Sequence, residues 1–181
     1  SFCVGYVNVK IVGSSAGLSD YGDGATHQSI DDVAIMRVLP NMVVLSPADG
    51  IETAKMVKAM VEHKGPMYIR ILRNDVPDVT DPKTEFKIGV PTVIRDGKDV
   101  TVFAHGYMVA KALKAAEIME KQGVSLKVVN VSTLKPIDET VVKKLCAKTK
   151  GIVTVEENSI IGGLGSAIAM IMRGSSIPME A

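Results

Sequence analysis

The chain has 181 residues, of which 46% are hydrophobic and 23% charged, with a formal net charge of +1. That composition supports a buried core, and its near-neutral balance, with no basic tract and no tryptophan, argues against nucleic acid or an anionic membrane as a partner. Apolar runs such as MVVL at 42–45 are far too short to span a bilayer, and nothing resembles a signal peptide.

The first residues, SFCVGYVNVKIVG, lack an initiating methionine and enter a strand almost at once, with VNVKIVG (7–13) closed by Gly13. A loop of small and acidic residues, SSAGLSDYGDGATHQ (14–28), follows. SIDDVAIMRVL (29–39) predicts a helix with Ser29 as N-cap, Asp32 three residues on, and Pro40 as stop. MVVLSP (42–47) reads as a buried strand, and Asp49 can open the amphipathic helix over 51–64. Gly65-Pro66 ends that helix, and MYIRILR (67–73) returns as a strand. This β–loop–α–β–α–β order favours a parallel sheet.

Composition shifts at NDVPDVTDPKTEFKIGVP (74–91), where prolines and acids replace apolar periodicity; we read residues 76–91 as a linker. It divides a unit over 1–75 from a second over 92–181. In the second, PTVIRDGKDVTVFAHG suggests a hairpin about Asp96-Gly97. Helices are expected over 107–123, 135–151 and 160–173, with strands over 124–131 and 152–157. At the end, SSIPMEA announces another strand, so the chain reads as an internal piece of something longer. The fold class is α/β: two three-layer α/β/α domains with mainly parallel sheets.

Ligands of such sheets bind beyond the carboxyl ends of the strands, where the 14–28 loop lies. Gly17, Gly22 and Gly24 give it backbone freedom, and Asp20, Asp23, Thr26 and Gln28 crowd hydrogen-bonding groups around His27. A neutral imidazole there can bind, or shuttle a proton to, a substrate oxygen; a surface or capping histidine is the plainer reading. In MYIRILRND, Arg73 comes at the same rim, with a guanidinium fork suited to phosphate or carboxylate. An ion pair with Asp75 or Asp78 is the plainer reading there. Arg70 falls on the opposite face of the strand.

Three further features carry less. IIGGLGSA (160–167) has G-G-x-G rather than dinucleotide spacing, so Gly162, Gly163 and Gly165 are expected to ease close packing or to admit a neighbouring subunit. Cys3 and Cys146 read as reduced buried thiols of a cytoplasmic protein. The three histidines fall at no metal-ligand spacing, and His63 and His105 read as surface or core residues.

The pairing of D-G-A-T-H-Q (23–28) with the later P-x-Y-I-R-x-x-R (66–73) resembles the second half of the pyrimidine-binding domain of transketolase. TVFAHGYMVAKALKAA, LKVVNVSTLKPIDE and VEENSIIGGLGSAIA are similar to the transketolase C-terminal domain. The resemblance covers almost the whole chain. It implies thiamine diphosphate as cofactor with magnesium or another divalent metal, sugar-phosphate substrates, and transfer of a two-carbon ketol unit from a ketose to an aldose phosphate, within pentose phosphate metabolism. By the same resemblance His27 lines the channel on the thiazolium side and contacts the ketose, Asp23 binds the C2 hydroxyl, and Arg73 binds the sugar phosphate.

Departures accompany the likeness. Ser15 stands where the family commonly has a phosphate-binding His, and by the resemblance it is expected to donate a hydrogen bond to the phosphate in its place; Gly22 replaces a Glu, with an acid displaced to Asp20. The main aminopyrimidine contacts and the catalytic glutamate would lie upstream of Ser1, and no metal ligand is assigned here. An N-terminal transketolase domain or subunit is therefore implied as partner, in a homodimer or heterotetramer. Readings that stay open are deoxyxylulose-phosphate synthase, a 2-oxoacid dehydrogenase β-type enzyme, and a non-catalytic dimerisation subunit of the same fold.

Overall fold

Among the described residues, β-branched runs ended by glycine, proline or polar turns give nine short strands, and five amphipathic stretches between them give helices. The computed structural model describes residues 3–19 and 21–181, so the prediction that touches Asp20 lies outside it. In chain order the elements are β1 (Lys10–Gly13), a 3-10 turn (Gly24–Thr26), α1 (Asp32–Val38), β2 (Val43–Leu45), α2 (Gly50–Glu62), β3 (Met67–Arg70), β4 (Thr92–Arg95) and β5 (Val100–Ala104). They continue with α3 (Met108–Lys121), β6 (Leu126–Asn130), β7 (Thr133–Lys135), α4 (Glu139–Cys146), β8 (Gly151–Val155), α5 (Leu164–Ile171) and β9 (Met179–Glu180). Among the described residues no helix is long and apolar enough to cross a membrane.

The α/β class is as expected. The strands form two sheets, one ordered β1-β3-β2-β7 and the other β4-β6-β5-β8-β9. In the first, β3 runs parallel to β1 and β2, with Ile11 opposite Tyr68 and Val44 also opposite Tyr68. In the second, β5 runs parallel to β6 and β8, and β9 runs parallel to β8. The strand announced by SSIPMEA is β9.

Two pairings depart from the sequence reading. The Asp96-Gly97 turn does not join a hairpin: β4 lies antiparallel to β6, with Thr92 opposite Asn130, and β5 lies on the other side of β6. The turn instead wraps the start of β6, where a Cβ on Gly97 would stand 2.2 Å from the Leu126 carbonyl carbon and Asp99 N donates to Ser125 O at 2.9 Å. The second departure is β7, a strand with no counterpart in the sequence reading, whose last residue Lys135 was expected to start a helix. It crosses to the first sheet and pairs antiparallel with β2, and its helix starts later, where the Asp138 carboxylate accepts the Val141 N–H at 3.0 Å.

The 74–91 stretch carries neither helix nor strand, yet it is pinned to α2. Asp49 caps that helix by accepting the Glu52 N–H, and its other oxygen takes the Val79 and Thr80 N–H groups at 2.8 and 2.7 Å. Lys55 Nζ donates to the carbonyls of Asp81 and Thr84. The largest apolar cluster includes Val33, Met42, Val44 and Tyr68 from the first half together with Phe103, Val129, Leu134, Ile152 and Ile168 from the second. The two sheets therefore share a core, with both free cysteines buried in it; burial pushes the Cys146 thiol up to about 11.

Candidate active site

The 14–28 loop leaves β1 at its carboxyl end and is closed at its base. Gly17 N donates to Ser29 O at 3.0 Å, an isolated antiparallel bridge, and Gly17 takes the φ of +68° that its lack of a Cβ permits. This bridge displaces the predicted cap. The carbonyl of Ser29 is committed to Gly17, so α1 begins three residues later, with Asp31 O accepting the Ile35 N–H. His27 consequently sits at the end of the 3-10 turn, its N–H on Gly24 O at 3.0 Å, rather than at the head of α1.

Beyond β3 the chain runs beside this loop. Ile71 N donates to Gly13 O, and Ala16 N donates back to Ile71 O. Ser19 then acts as a local anchor. Its Oγ donates to Ala16 O at 2.7 Å and accepts the Arg73 N–H at 3.3 Å, while Asn74 Nδ2 donates to Ser19 O at 2.9 Å. These bonds fix where Arg73 leaves the strand end. Its Nη1 reaches Asp23 Oδ2 at 3.5 Å, with the two side chains 58% and 54% exposed. Among the described residues its carboxylate contact is Asp23, where Asp75 or Asp78 was the plainer expectation. Asp23 and Arg73 line an open cleft of about 230 Å³ with Ser19, Tyr21, Gly22 and Asn74.

Two of the four predicted residues thus meet directly. His27 is exposed on the same loop but does not line that cleft; its Nδ1 lies 3.0 Å from Thr26 Oγ1, leaving Nε2 as the nitrogen for an incoming atom. Ser15 also stands outside the cleft, at a bend with φ of +56°. Ser19 and Asn74, which set the cleft's geometry, were not singled out in the sequence. Asn74, directly after Arg73, was the available signal.

Beneath the loop lies a buried polar layer that the sequence did not reveal. Arg70, 3% exposed, donates from Nε to Asp32 Oδ2 at 3.1 Å and from Nη1 to Asn158 Oδ1 at 3.4 Å. Its Nη1 is also 3.9 Å from Glu157 Oε1. Tyr68 O–H donates to the same Asp32 oxygen at 2.7 Å, and burial, then Asp32, pushes that phenol up. His105, wholly buried, shares a 2.8 Å hydrogen bond with Ser46 Oγ through Nδ1, and its Nε2 lies 3.9 Å from Glu156 Oε2.

Glu156 explains the glycine stretch. Its carboxylate accepts the N–H groups of Leu164 and Gly165 at 2.7 and 2.8 Å, so the head of α5 is occupied by the chain's own anion. Burial pulls the Glu156 carboxyl upward, but His105 and these two N–H groups outweigh it and hold it below its ordinary range. A Cβ on Gly163 would fall 2.1 Å from Glu156 Oε2, and one on Gly162 would fall 2.6 Å from the Ala34 Cβ. Close packing is what these glycines permit.

The family model for "Transketolase, pyrimidine binding domain" matches residues 3–79, and that for "Transketolase, C-terminal domain" matches 89–177. The 6-deoxy-6-sulfo-D-fructose transketolase subunit of a Clostridium species is 43% identical over 173 residues, 96% of this chain and 53% of that protein. An apulose-4-phosphate transketolase subunit of Phocaeicola vulgatus is 36% identical over 174 residues, 96% of this chain and 56% of that protein. Among solved structures, a split-gene transketolase in an inactive β4 tetramer superposes with a TM-score of 0.91 at 46% identity, over 99% of this chain and 58% of that one. The chain spans about half the length of the curated relatives it matches.

Proposed function

The chain belongs to the transketolase family, and on that premise we propose that it is the C-terminal section of a thiamine diphosphate-dependent transketolase moving a two-carbon ketol unit from a ketose phosphate to an aldose phosphate. The observation that carries this reading is the exposed Asp23–Arg73 pair at 3.5 Å in an open cleft beside the family's D-G-x-T-H segment. A pair so open to water is worth about 0–1 kcal/mol, so a sugar phosphate can displace Asp23 from Arg73 at little cost. Asp23, released from the guanidinium, is then left to accept a sugar hydroxyl. His27 Nε2 supplies a neutral hydrogen-bonding or proton-transfer group at the reacting end.

The cofactor supplies, when bound, the carbanion chemistry that takes up the ketol unit. On this reading the exposed His27 would face its reactive end, and its diphosphate would be held elsewhere. Among the described residues no group of three or more His, Cys, Asp or Glu side chains could hold a metal ion, and the one well-formed helix-head anion site among the glycines is filled by Glu156. An N-terminal section or subunit is therefore the proposed holder of diphosphate and divalent metal, in a homodimer or heterotetramer.

The test is ketol transfer from xylulose 5-phosphate by this chain alone and together with the N-terminal section. Turnover by the pair and none by the single chain is expected; robust turnover by the single chain would refute the division of labour. Condensation of pyruvate instead would identify a deoxyxylulose-phosphate synthase. The scaffold reading draws on Ser15 and Gly22, and an assembly indifferent to loss of His27 would favour it.

A further inference from the structure

One short turn of the second unit, Glu156 to Ser159, holds both ends of the loop that carries Asp23 and His27. At the loop's entry the Leu18 N–H donates to Glu157 Oε2 at 3.4 Å. At its exit the Ser159 N–H donates to Ile30 O at 2.7 Å. The two ends are also joined to each other through Gly17 N and Ser29 O. Everything between, residues 21–27, is exposed or half-buried.

We propose that Glu157 is a positioning residue for this site, setting the placement of the substrate loop from the other domain. Its carboxylate is only 8% exposed; Oε1 faces Arg70 of β3 at 3.9 Å without a hydrogen bond, and Oε2 accepts the Leu18 N–H of the loop at 3.4 Å. The approach is close enough to demand glycine: a Cβ on Gly17 would stand 2.5 Å from Glu157 Cδ. Lifting the loop would strand a desolvated carboxylate with one partner fewer, and buried charges make that costly. The clamp is therefore stiff at the base while the tip stays open to substrate. Arg70, itself fastened to Asp32 and Asn158, fixes the height of Glu157 relative to the first sheet. The inference rests on reading the loop as the substrate-facing wall, but its first readout does not depend on that.

Amide hydrogen exchange on the full chain tests it. Glu157→Ala removes the acceptor for Leu18; Glu157→Gln keeps an acceptor and drops the charge. Because the Leu18 N–H loses a charged acceptor, Glu157→Ala should speed exchange across 17–29 by about ten-fold. Exchange in β5 should stay unchanged, and Glu157→Gln should recover most of the protection. Unchanged exchange across 17–29, or acceleration spread evenly through both sheets in both variants, would overturn the clamp. In the assembled enzyme Glu157→Ala should raise KM for the sugar phosphate and lower kcat together, because the loop carries both Asp23 and His27, and Glu157→Gln should recover both. Absence of ketol transfer by the unmutated assembly would sink the proposed function and leave the exchange result to decide the clamp.

Discussion

Asp23 and Arg73, fifty positions apart in sequence, stand 3.5 Å from each other at an open cleft. Their meeting is arranged by Ser19, whose hydroxyl accepts the Arg73 N–H and donates to Ala16 O, so the loop and the chain beyond β3 are joined independently of either charge. The consequence for Arg73→Ala is a loss in binding rather than folding. In the assembled enzyme kcat/KM for a phosphorylated donor should fall by about 1.5–3 kcal/mol equivalent, the value of a hydrogen bond to a charged group. Stability in urea should move by less than about 1 kcal/mol because the pair is exposed. Equal losses with phosphorylated and unphosphorylated donors would remove Arg73 from phosphate binding.

His27→Ala should lower kcat in the same assembly by about 2–4 kcal/mol of transition-state stabilisation, the range for losing a donor aimed at developing charge. The variant should fold normally, since the ring is exposed and its neighbour is Thr26. A rate equal to that of the unmutated protein would favour a scaffold.

Acid should weaken the fold above the range where carboxylates titrate. Burial holds the His105 imidazole below its ordinary value, with Arg70 pushing the same way and Glu156 and Glu157 opposing. The unfolded chain takes up that proton near pH 6.5, the folded chain only at lower pH. Between the two, the unfolded state binds more protons and stability falls as pH falls, by at most about 1.4 kcal/mol per pH unit for one proton. His63, lowered by burial and then by Lys10, adds in the same direction. Urea melts at pH 7.5 and 5.5 should show the loss, and His105→Gln should shrink it. A slope untouched by that change would assign the effect to His63.

Asp49→Ala tests the joint between α2 and the linker. The carboxylate accepts from Glu52 N, Val79 N, Thr80 N and Thr80 Oγ1 at 2.7–2.9 Å; burial alone would raise its pKa, but these donors hold it below its ordinary range. Losing a cap costs about 1 kcal/mol, and each buried donor left without an acceptor costs about 1–3 kcal/mol more. A total near 3 kcal/mol is expected in urea, with an unchanged denaturant slope. A loss below about 1 kcal/mol would show that the linker finds other acceptors.

What could be read in advance followed local chemistry. Apolar alternation and glycine or proline stops placed nearly every element, and the D-G-A-T-H-Q loop with Arg73 located the cleft, although the strand expected to close on Arg73 ends at Arg70. What escaped were choices made by distant backbone. Ser29 looks like a cap until Gly17 claims its carbonyl, and Asp96-Gly97 looks like a hairpin until β6 is found between its arms. Arg70 offered a signal, a guanidinium amid MYIRIL that burial would force to find acids, but nothing local named Asp32, Glu157 and Asn158 as those partners. Ser15 and His27 show the converse: a family motif assigns them roles, while the cleft that unites Asp23 with Arg73 is built without them.

The return of β7 to the first sheet has a consequence for how the polypeptide can be divided. Because the strand beside β2 comes from beyond the 74–91 stretch, a protease nick there would not release two independent bodies. The fragments would stay associated through native buffer and migrate together until denatured. An expression boundary placed at the linker would yield a first piece with a raw sheet edge at β2, prone to pair with whatever strand it meets.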